Sequence, residues 1–116
     1  MAGRRKKFYD VIICGGGMTG AAMALCLANL KLNVALLESS LPQPFSKKQR
    51  FDLRVSALSA QTVLLLETLD VWEEILEMRC HAYRRLRVWE NPGYGDAIFN
   101  AENIEQSQLG FIAENR

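Results

Sequence analysis

The chain has 116 residues, a length that suits one domain with a modest core but is short for an enzyme that holds a large cofactor. Its 14 Lys and Arg residues nearly balance its 13 Asp and Glu residues, and the net charge of +1 provides no field that would attract nucleic acid or an anionic membrane surface. The three cysteines match neither a disulfide framework nor a CxxC pair, which favours a reducing cytoplasm, and the lone His81 gives no reason to expect a metal site.

The N-terminal stretch MAGRRKK is basic and leads directly into a strand, without the apolar core or the cleavage site of a targeting signal. We interpret residues 1–7 as a solvated tail and residues 8–116 as a domain. The longest apolar stretch is interrupted by Asn29, Lys31 and Asn33, so it falls short of the roughly 18 residues that a membrane-spanning helix needs. We therefore expect no transmembrane segment and a cytoplasmic location.

The first half of the domain has the pattern of a βαβ unit. Residues 8–14, FYDVIIC, have the β-branched and apolar character of a buried strand that ends at three glycines. Small residues recur from Met18 to Leu30, which predicts a helix that can lie close to a sheet. Residues 33–38, NVALLE, predict a second buried strand. The fold class is therefore α/β, with Rossmann-like parallel strands joined by a right-handed crossover.

The glycines of this unit have the spacing of the dinucleotide-binding fingerprint, Gly15-x-Gly17-x-x-Gly20. Gly15 permits the tight turn, Gly17 lets a pyrophosphate approach the backbone, and Gly20 allows the helix to pack closely. The predicted helix begins at Met18, and its first turn, which includes Thr19, offers free N–H groups and a partial positive charge to phosphates. The pattern predicts a dinucleotide over the first turn of this helix.

Glu38 ends the second strand, at the distance from the glycines where a carboxylate accepts hydrogen bonds from a ribose hydroxyl. A carboxylate there disfavours a 2′-phosphate, so NADP is the least suitable occupant, whereas FAD and NAD both fit. The fingerprint alone therefore leaves three functions open. They are a flavoprotein, an NAD-dependent dehydrogenase module and a non-catalytic dinucleotide-binding domain.

Beyond Glu38 the pattern becomes less regular. Residues 39–50, with two prolines and three serines, predict a loop. Ser59 is a candidate N-cap for a helix with the sequence AQTVLLLETL. Asp70 and Glu73 form a capping-box-like pair, which predicts a kink at Asp70 and a further helix.

After Cys80 the period changes to that of strands, and we expect a small antiparallel layer beside the βαβ unit. Arg84, Arg85 and Arg87 are interpreted as a solvated strand face rather than an anion site. The strand-like segments are YRRLRVWE, DAIFNA and LGFIAEN, with a turn at NPGYG.

Three segments carry a closer resemblance: DLRVSALS at residues 52–59, MRCHAYRRLRVWE at 78–90 and LGFIAENR at 109–116. Together they resemble the flavoprotein aromatic-ring hydroxylases of ubiquinone biosynthesis, and the likeness extends from about Tyr9 to Arg116. It implies a hydroxybenzoate hydroxylase type of fold, FAD as cofactor, NAD(P)H as electron donor and a polyprenyl benzoquinol as substrate.

The same resemblance implies roles for individual residues. The fingerprint glycines would hold the FAD pyrophosphate, Glu38 the adenosine ribose, and Arg54 would lie against the pyrophosphate and the flavin. A guanidinium on an extended segment can pair with phosphate oxygens in a fixed geometry, but from the residues alone Arg54 is equally well explained as a surface arginine in a loop, and the resemblance decides for the binding role. No residue of the chain receives a catalytic role.

Members of that family are much longer and carry later segments, with an Asp-Gly and a Gly-Asp motif, that complete the flavin site; the resemblance implies that both segments lie outside this chain. We therefore expect residues 8–116 to be the incomplete N-terminal part of an FAD-binding domain, which alone would bind FAD weakly and hydroxylate nothing. A substrate dissolved in the membrane implies a peripheral location at the inner membrane or membership of a ubiquinone-biosynthesis multi-enzyme complex.

Overall fold

The computed structural model describes residues 8–115, so the predicted basic tail at residues 1–7 lies outside the described residues, as does Arg116. The chain divides into two compact units, with the boundary after Gln43.

The first unit contains the predicted βαβ arrangement. Its two strands pair in parallel, in register from Val11 opposite Val34 to Cys14 opposite Leu37. The elements are β1 (Val11–Cys14), α1 (Met18–Asn29) and β2 (Val34–Leu37).

The prediction that these strands are buried is wrong. Ile12 on β1 is 61% exposed and Leu37 on β2 is 56% exposed, and Cys14 is exposed as well. Parallel strands are buried when helices cover both faces of their sheet. Between residues 8 and 43 the structure supplies one helix and two strands, so much of the apolar side-chain surface stays open.

The second unit confirms the antiparallel pairing but divides its strands between two sheets, where one layer was expected. The three-stranded sheet has the order β3-β7-β4, so the last strand of the chain is central and β3, which precedes the helices, joins its edge. β5 and β6 form a separate hairpin, closed by the predicted turn. The elements are β3 (Val55–Ser59), α2 (Ala60–Thr68), α3 (Trp72–Glu77), β4 (Cys80–Tyr83), β5 (Arg85–Trp89), β6 (Asp96–Asn100), a 3₁₀ turn (Ala101–Ile104) and β7 (Gly110–Glu114).

The helix boundaries follow the predicted positions, with one correction. Ser59 caps α2 as predicted, because its hydroxyl accepts the Thr62 N–H at 3.3 Å. The chain does kink at Asp70, but the capping box is not formed. Asp70 has φ of 60° and donates its N–H to the Glu67 carbonyl at 3.0 Å, so it closes α2, and Val71 occupies the N-cap of α3 without a side-chain bond.

The core of the second unit lies where α3 meets the central strand. Trp72 is 5% exposed, and its ring meets Phe111 of β7 edge to face at 4.9 Å between centroids. Within residues 8–115, Leu69 and Ala101 are the other buried apolar side chains.

The arginines of the β5–β6 hairpin are exposed, as expected of a solvated face. Arg87 makes a two-pronged ion pair with Asp96, at 3.0 and 2.8 Å, and Arg84 lies 3.7 Å from Glu102. Exposed pairs of this kind contribute little to stability.

Candidate dinucleotide-binding site

The glycine turn between β1 and α1 has the geometry that the fingerprint predicts. Gly15 has φ of +104°, a backbone conformation that other residues rarely adopt. A Cβ on Gly17 would meet nothing within 4 Å, so the space above this residue is open. A Cβ on Gly20 would overlap the Gly15 carbonyl oxygen, and this is why α1 can lie against the turn only with glycine there.

The first turn of α1 presents unpaired backbone donors. The helical hydrogen-bond ladder starts with the Ala21 N–H, which donates to the Gly17 carbonyl at 2.8 Å. The N–H groups of Met18, Thr19 and Gly20 precede it and so have no intrahelical acceptor. No acidic residue lies in this first turn to neutralise the partial positive charge of the helix end. These groups can bind the oxygens of a phosphate.

Glu38 lies directly beside the same turn. One carboxylate oxygen, Oε2, accepts the Gly16 N–H at 2.5 Å, and the other, Oε1, accepts the Ser40 N–H at 3.0 Å and the Ser39 hydroxyl at 3.2 Å. These bonds, with the Ser40 N–H the largest contribution, lower the pKa of Glu38 below its ordinary value, so the group is ionised at neutral pH. A carboxylate has about four acceptor positions, which leaves capacity for a ribose hydroxyl.

The bond to Gly16 shows a role for Glu38 that sequence reasoning missed. The carboxylate fixes the middle of the glycine turn, at the one residue of the three-glycine run that the fingerprint leaves unspecified. A Cβ on Gly16 would lie 3.1 Å from Glu38 Oε2, so the two residues are close-packed. The run of three glycines was the signal that could have indicated this.

An open groove of about 560 Å³ joins the turn to the end of β2. Glu38 forms the charged side of the groove, and Leu36 and Leu37 form its apolar side. The two leucines were not predicted as site residues. A flat, largely apolar ring can lie against such a wall while its attached sugar meets the carboxylate. The groove is lined by Gly15, Leu36, Leu37, Glu38 and Ser39.

Taken together, this region fits an adenine dinucleotide. It offers free N–H donors for a diphosphate, a carboxylate for a ribose and open space where a side chain would obstruct the ligand. The glycines, Met18, Thr19 and Glu38 all lie in the first unit.

Arg54 lies in the second unit, on the extended segment before β3. Its N–H donates to Asp52 Oδ1 at 3.0 Å, and its carbonyl accepts the Asn115 N–H at 3.3 Å. Its side chain is exposed, and within residues 8–115 no carboxylate pairs with the guanidinium. The side chain is thus available to an anion, and its predicted contact with FAD stays a prediction.

Arg79 was missed by the sequence reasoning, although its segment was singled out. Its guanidinium pairs with Glu114 at 3.1 Å and bonds to two carbonyls of the loop before Arg54. Its partners lie 30 to 35 positions away along the chain, and no local pattern indicates contacts of that range.

Comparison with known proteins places the chain in a family. The model of the FAD dependent oxidoreductase family, DAO, matches residues 10–90. The chain therefore belongs to the FAD-dependent oxidoreductases, and FAD is the cofactor of that family.

Its curated relatives are more specific. The chain is 42% identical over 106 residues to the 3-demethoxyubiquinol 3-hydroxylase of Escherichia coli strain K12, an alignment that covers 91% of this chain and 27% of that protein. It is 34% identical over 112 residues to the mitochondrial ubiquinone biosynthesis monooxygenase COQ6 of Rattus norvegicus, with 92% of this chain and 23% of that protein covered. The predicted resemblance to ubiquinone-biosynthesis hydroxylases is confirmed.

Among solved structures, the p-nitrophenol 4-monooxygenase PnpA of Pseudomonas putida DLL-E4 matches with a TM-score of 0.56 and 20% identity, over 89% of this chain and 25% of that one. The match confirms the fold class. The chain spans about a quarter of the length of these relatives.

Across the described part of the chain, no helix combines the length and the hydropathy that crossing a bilayer requires.

Proposed function

We propose that this chain supplies the ADP-binding part of the FAD site in a monooxygenase that hydroxylates a polyprenyl benzoquinol ring in ubiquinone biosynthesis. The observation that carries the proposal is the glycine turn, where free N–H groups and an ionised Glu38 lie side by side on an open groove. The printed functions of two relatives, demethoxyubiquinol hydroxylation and ubiquinone biosynthesis, support the choice of substrate class.

In this proposal the N–H groups of Met18, Thr19 and Gly20 donate to the FAD pyrophosphate, and Gly15 and Gly17 leave room for it. Glu38 accepts hydrogen bonds from the adenosine ribose and holds the turn through Gly16.

The contact of Arg54 with FAD that the family resemblance implies belongs to the same proposal: its exposed guanidinium can pair with a phosphate oxygen. When bound, FAD supplies the redox and oxygen chemistry, and NAD(P)H would supply its electrons. The residues of this chain bind and orient the cofactor, so none receives a proton-transfer role. Association with other enzymes of ubiquinone biosynthesis, and a peripheral position at the inner membrane, belong to the proposal as well.

The structure gives no support to a dehydrogenase module. Such a module would continue with another βα unit soon after Glu38, whereas residues 39–54 form neither helix nor strand and lead into a sheet that pairs antiparallel.

A paired titration tests the proposal. Purified chain is titrated with FAD and, separately, with NAD, and binding is followed by flavin fluorescence and by calorimetry. Saturable FAD binding with weaker NAD binding is expected. Binding of NAD in preference to FAD would contradict the flavoprotein assignment and favour the dehydrogenase module.

A further inference from the structure

Arg79 and Glu114 form the best-protected ion pair between residues 8 and 115. Their side chains are 17% and 8% exposed, whereas the Arg87–Asp96 pair is 57% and 40% exposed. Arg79 stands between α3 and β4, and Glu114 ends the central strand β7. A charge so far removed from water needs well-placed partners, and both residues have them.

The guanidinium of Arg79 bonds to the loop formed by residues 44–52, called loop 44–52. Its Nη2 donates to the Lys47 carbonyl at 3.0 Å and to the Gln49 carbonyl. The aromatic rings of Phe51 and Phe45 lie 4.1 and 5.8 Å from the guanidinium carbon, within the range of cation–π attraction. One side chain thereby contacts the loop at four residues.

Glu114 extends the same contact to the end of the loop. Its Oε1 accepts Arg79 Nη1 at 3.1 Å and the Asp52 N–H at 3.2 Å. Asp52 in turn accepts the Arg54 N–H through Oδ1 at 3.0 Å. On its other side, the Arg54 carbonyl accepts the Asn115 N–H at 3.3 Å. A continuous series of hydrogen bonds therefore runs from Arg79 to the backbone of Arg54.

We infer that Arg79 is a positioning residue, which holds loop 44–52 on the three-stranded sheet and so sets the position of Arg54 for an anionic phosphate ligand. The inference rests on the proposed function, because the position of Arg54 matters only if its exposed guanidinium binds the phosphate. Arg79 itself does not contact the ligand.

Arginine suits this role better than lysine. Its planar guanidinium carries five donors in a fixed fork and presents a flat face to aromatic rings. A lysine could keep the ion pair with Glu114 but could not also reach two carbonyls and stack on Phe51. The conservative variant Arg79→Lys therefore keeps the charge and removes the loop contacts.

The first experiment measures whether Arg79 holds the loop. Trypsin cleaves after Lys47, Lys48 and Arg50, and the rate reports how often the loop opens. Wild-type chain, Arg79→Lys and the exposed control Arg87→Lys are digested briefly, and the products are identified by mass spectrometry. Because Arg79→Lys removes a charge-assisted hydrogen bond to the loop, it should raise the rate of cleavage about tenfold. Arg87→Lys should leave the rate unchanged. Circular dichroism verifies that the variants are folded.

The second experiment measures whether Arg79 acts through Arg54. The Kd for FAD is determined for wild-type chain, Arg79→Lys, Arg54→Ala and the double variant. Arg54→Ala should weaken binding about tenfold by removing one ionic contact, and Arg79→Lys somewhat less. The double variant should bind FAD no more weakly than Arg54→Ala alone, because Arg79 affects binding only through the position of the Arg54 guanidinium, which both variants lack.

The outcomes separate the two claims. Unchanged trypsin cleavage in Arg79→Lys would overturn the positioning role, and so would additive losses in the double variant, which a general structural role predicts. Absence of FAD binding by the wild-type chain would instead defeat the proposed function, and the cleavage rates would then still decide whether Arg79 holds the loop.

Discussion

The glycine turn and the contacts of Arg79 are built in opposite ways. The turn consists of backbone groups and small residues close together in sequence, and it leaves its donors unpaired. Around Arg79, side chains and carbonyls from distant parts of the second unit pair with one another away from water. The comparison shows that unpaired backbone donors at a helix end mark where a ligand can bind, whereas paired charges hold the surrounding chain in place.

The largest expected effect concerns the paired region. Arg79→Ala leaves Glu114 without its cation and removes the contacts to the loop carbonyls, so the free energy of unfolding should fall by about 3 kcal/mol. Urea denaturation followed by circular dichroism measures the change. A loss no larger than that of an exposed pair would mean that Arg79 and Glu114 contribute little, and would remove the contrast between the two regions.

A smaller loss is expected for Gly20→Ala in the turn. The added Cβ would overlap the Gly15 carbonyl oxygen, so α1 must shift away from β1. Such overpacking costs about 1–3 kcal/mol. The matched control is Gly95→Ala, where a Cβ would meet Glu90 atoms at 3.5 Å, an ordinary contact. Equal stabilities of the two variants in urea would show that α1 is free to move away from the turn at little cost.

Stability should depend on pH through Glu38. Its folded-state pKa is lowered, chiefly by the Ser40 and Gly16 N–H groups, so its contribution is present above its ordinary pKa of 4.5 and is lost as the pH falls through the lower folded value. Glu38→Gln removes the ionised acceptor. The two chains should therefore differ in stability at pH 7 and converge in acid, which urea titrations at several pH values measure. A difference that stays constant with pH would contradict the role of the charge.

The smallest effect is expected in the β5–β6 hairpin. Arg87→Ala breaks an exposed ion pair with Asp96 and should lower the free energy of unfolding by no more than about 0.5 kcal/mol. Urea denaturation measures this loss beside that of Arg79→Ala. Similar losses in the two variants would show that exposure does not distinguish the two pairs.

The difference between the glycine turn, which is local in sequence, and the long-range contacts of Arg79 also explains which features could be predicted from the sequence. Gly15, Gly17, Gly20 and Glu38 could be assigned because turn, helix and strand follow one another directly and each leaves a local pattern. The strands β5, β6 and β7 were found for the same reason, whereas β3 and β4 were not predicted.

Their partition into two sheets could not be predicted, because β3 and β7 pair although 50 residues separate the end of one strand from the start of the other. Local periodicity does not record which strand becomes central. The exposure of Ile12 and Cys14 was missed for a related reason, since an apolar strand pattern indicates what could be buried without indicating what covers it. The contacts of Arg79 could not be predicted either, because its hydrogen-bond partners are distant along the chain.

The most direct test of the central claim is FAD binding by Gly17→Val. A Cβ at Gly17 meets no protein atom within 4 Å, so the substitution should leave the fold intact and obstruct only the ligand. With Gly95→Val as the control, we predict unchanged circular dichroism for Gly17→Val and a loss of FAD affinity of at least about tenfold in fluorescence titration. FAD binding by a folded Gly17→Val chain with the wild-type Kd would show that the pyrophosphate does not lie over the glycine turn.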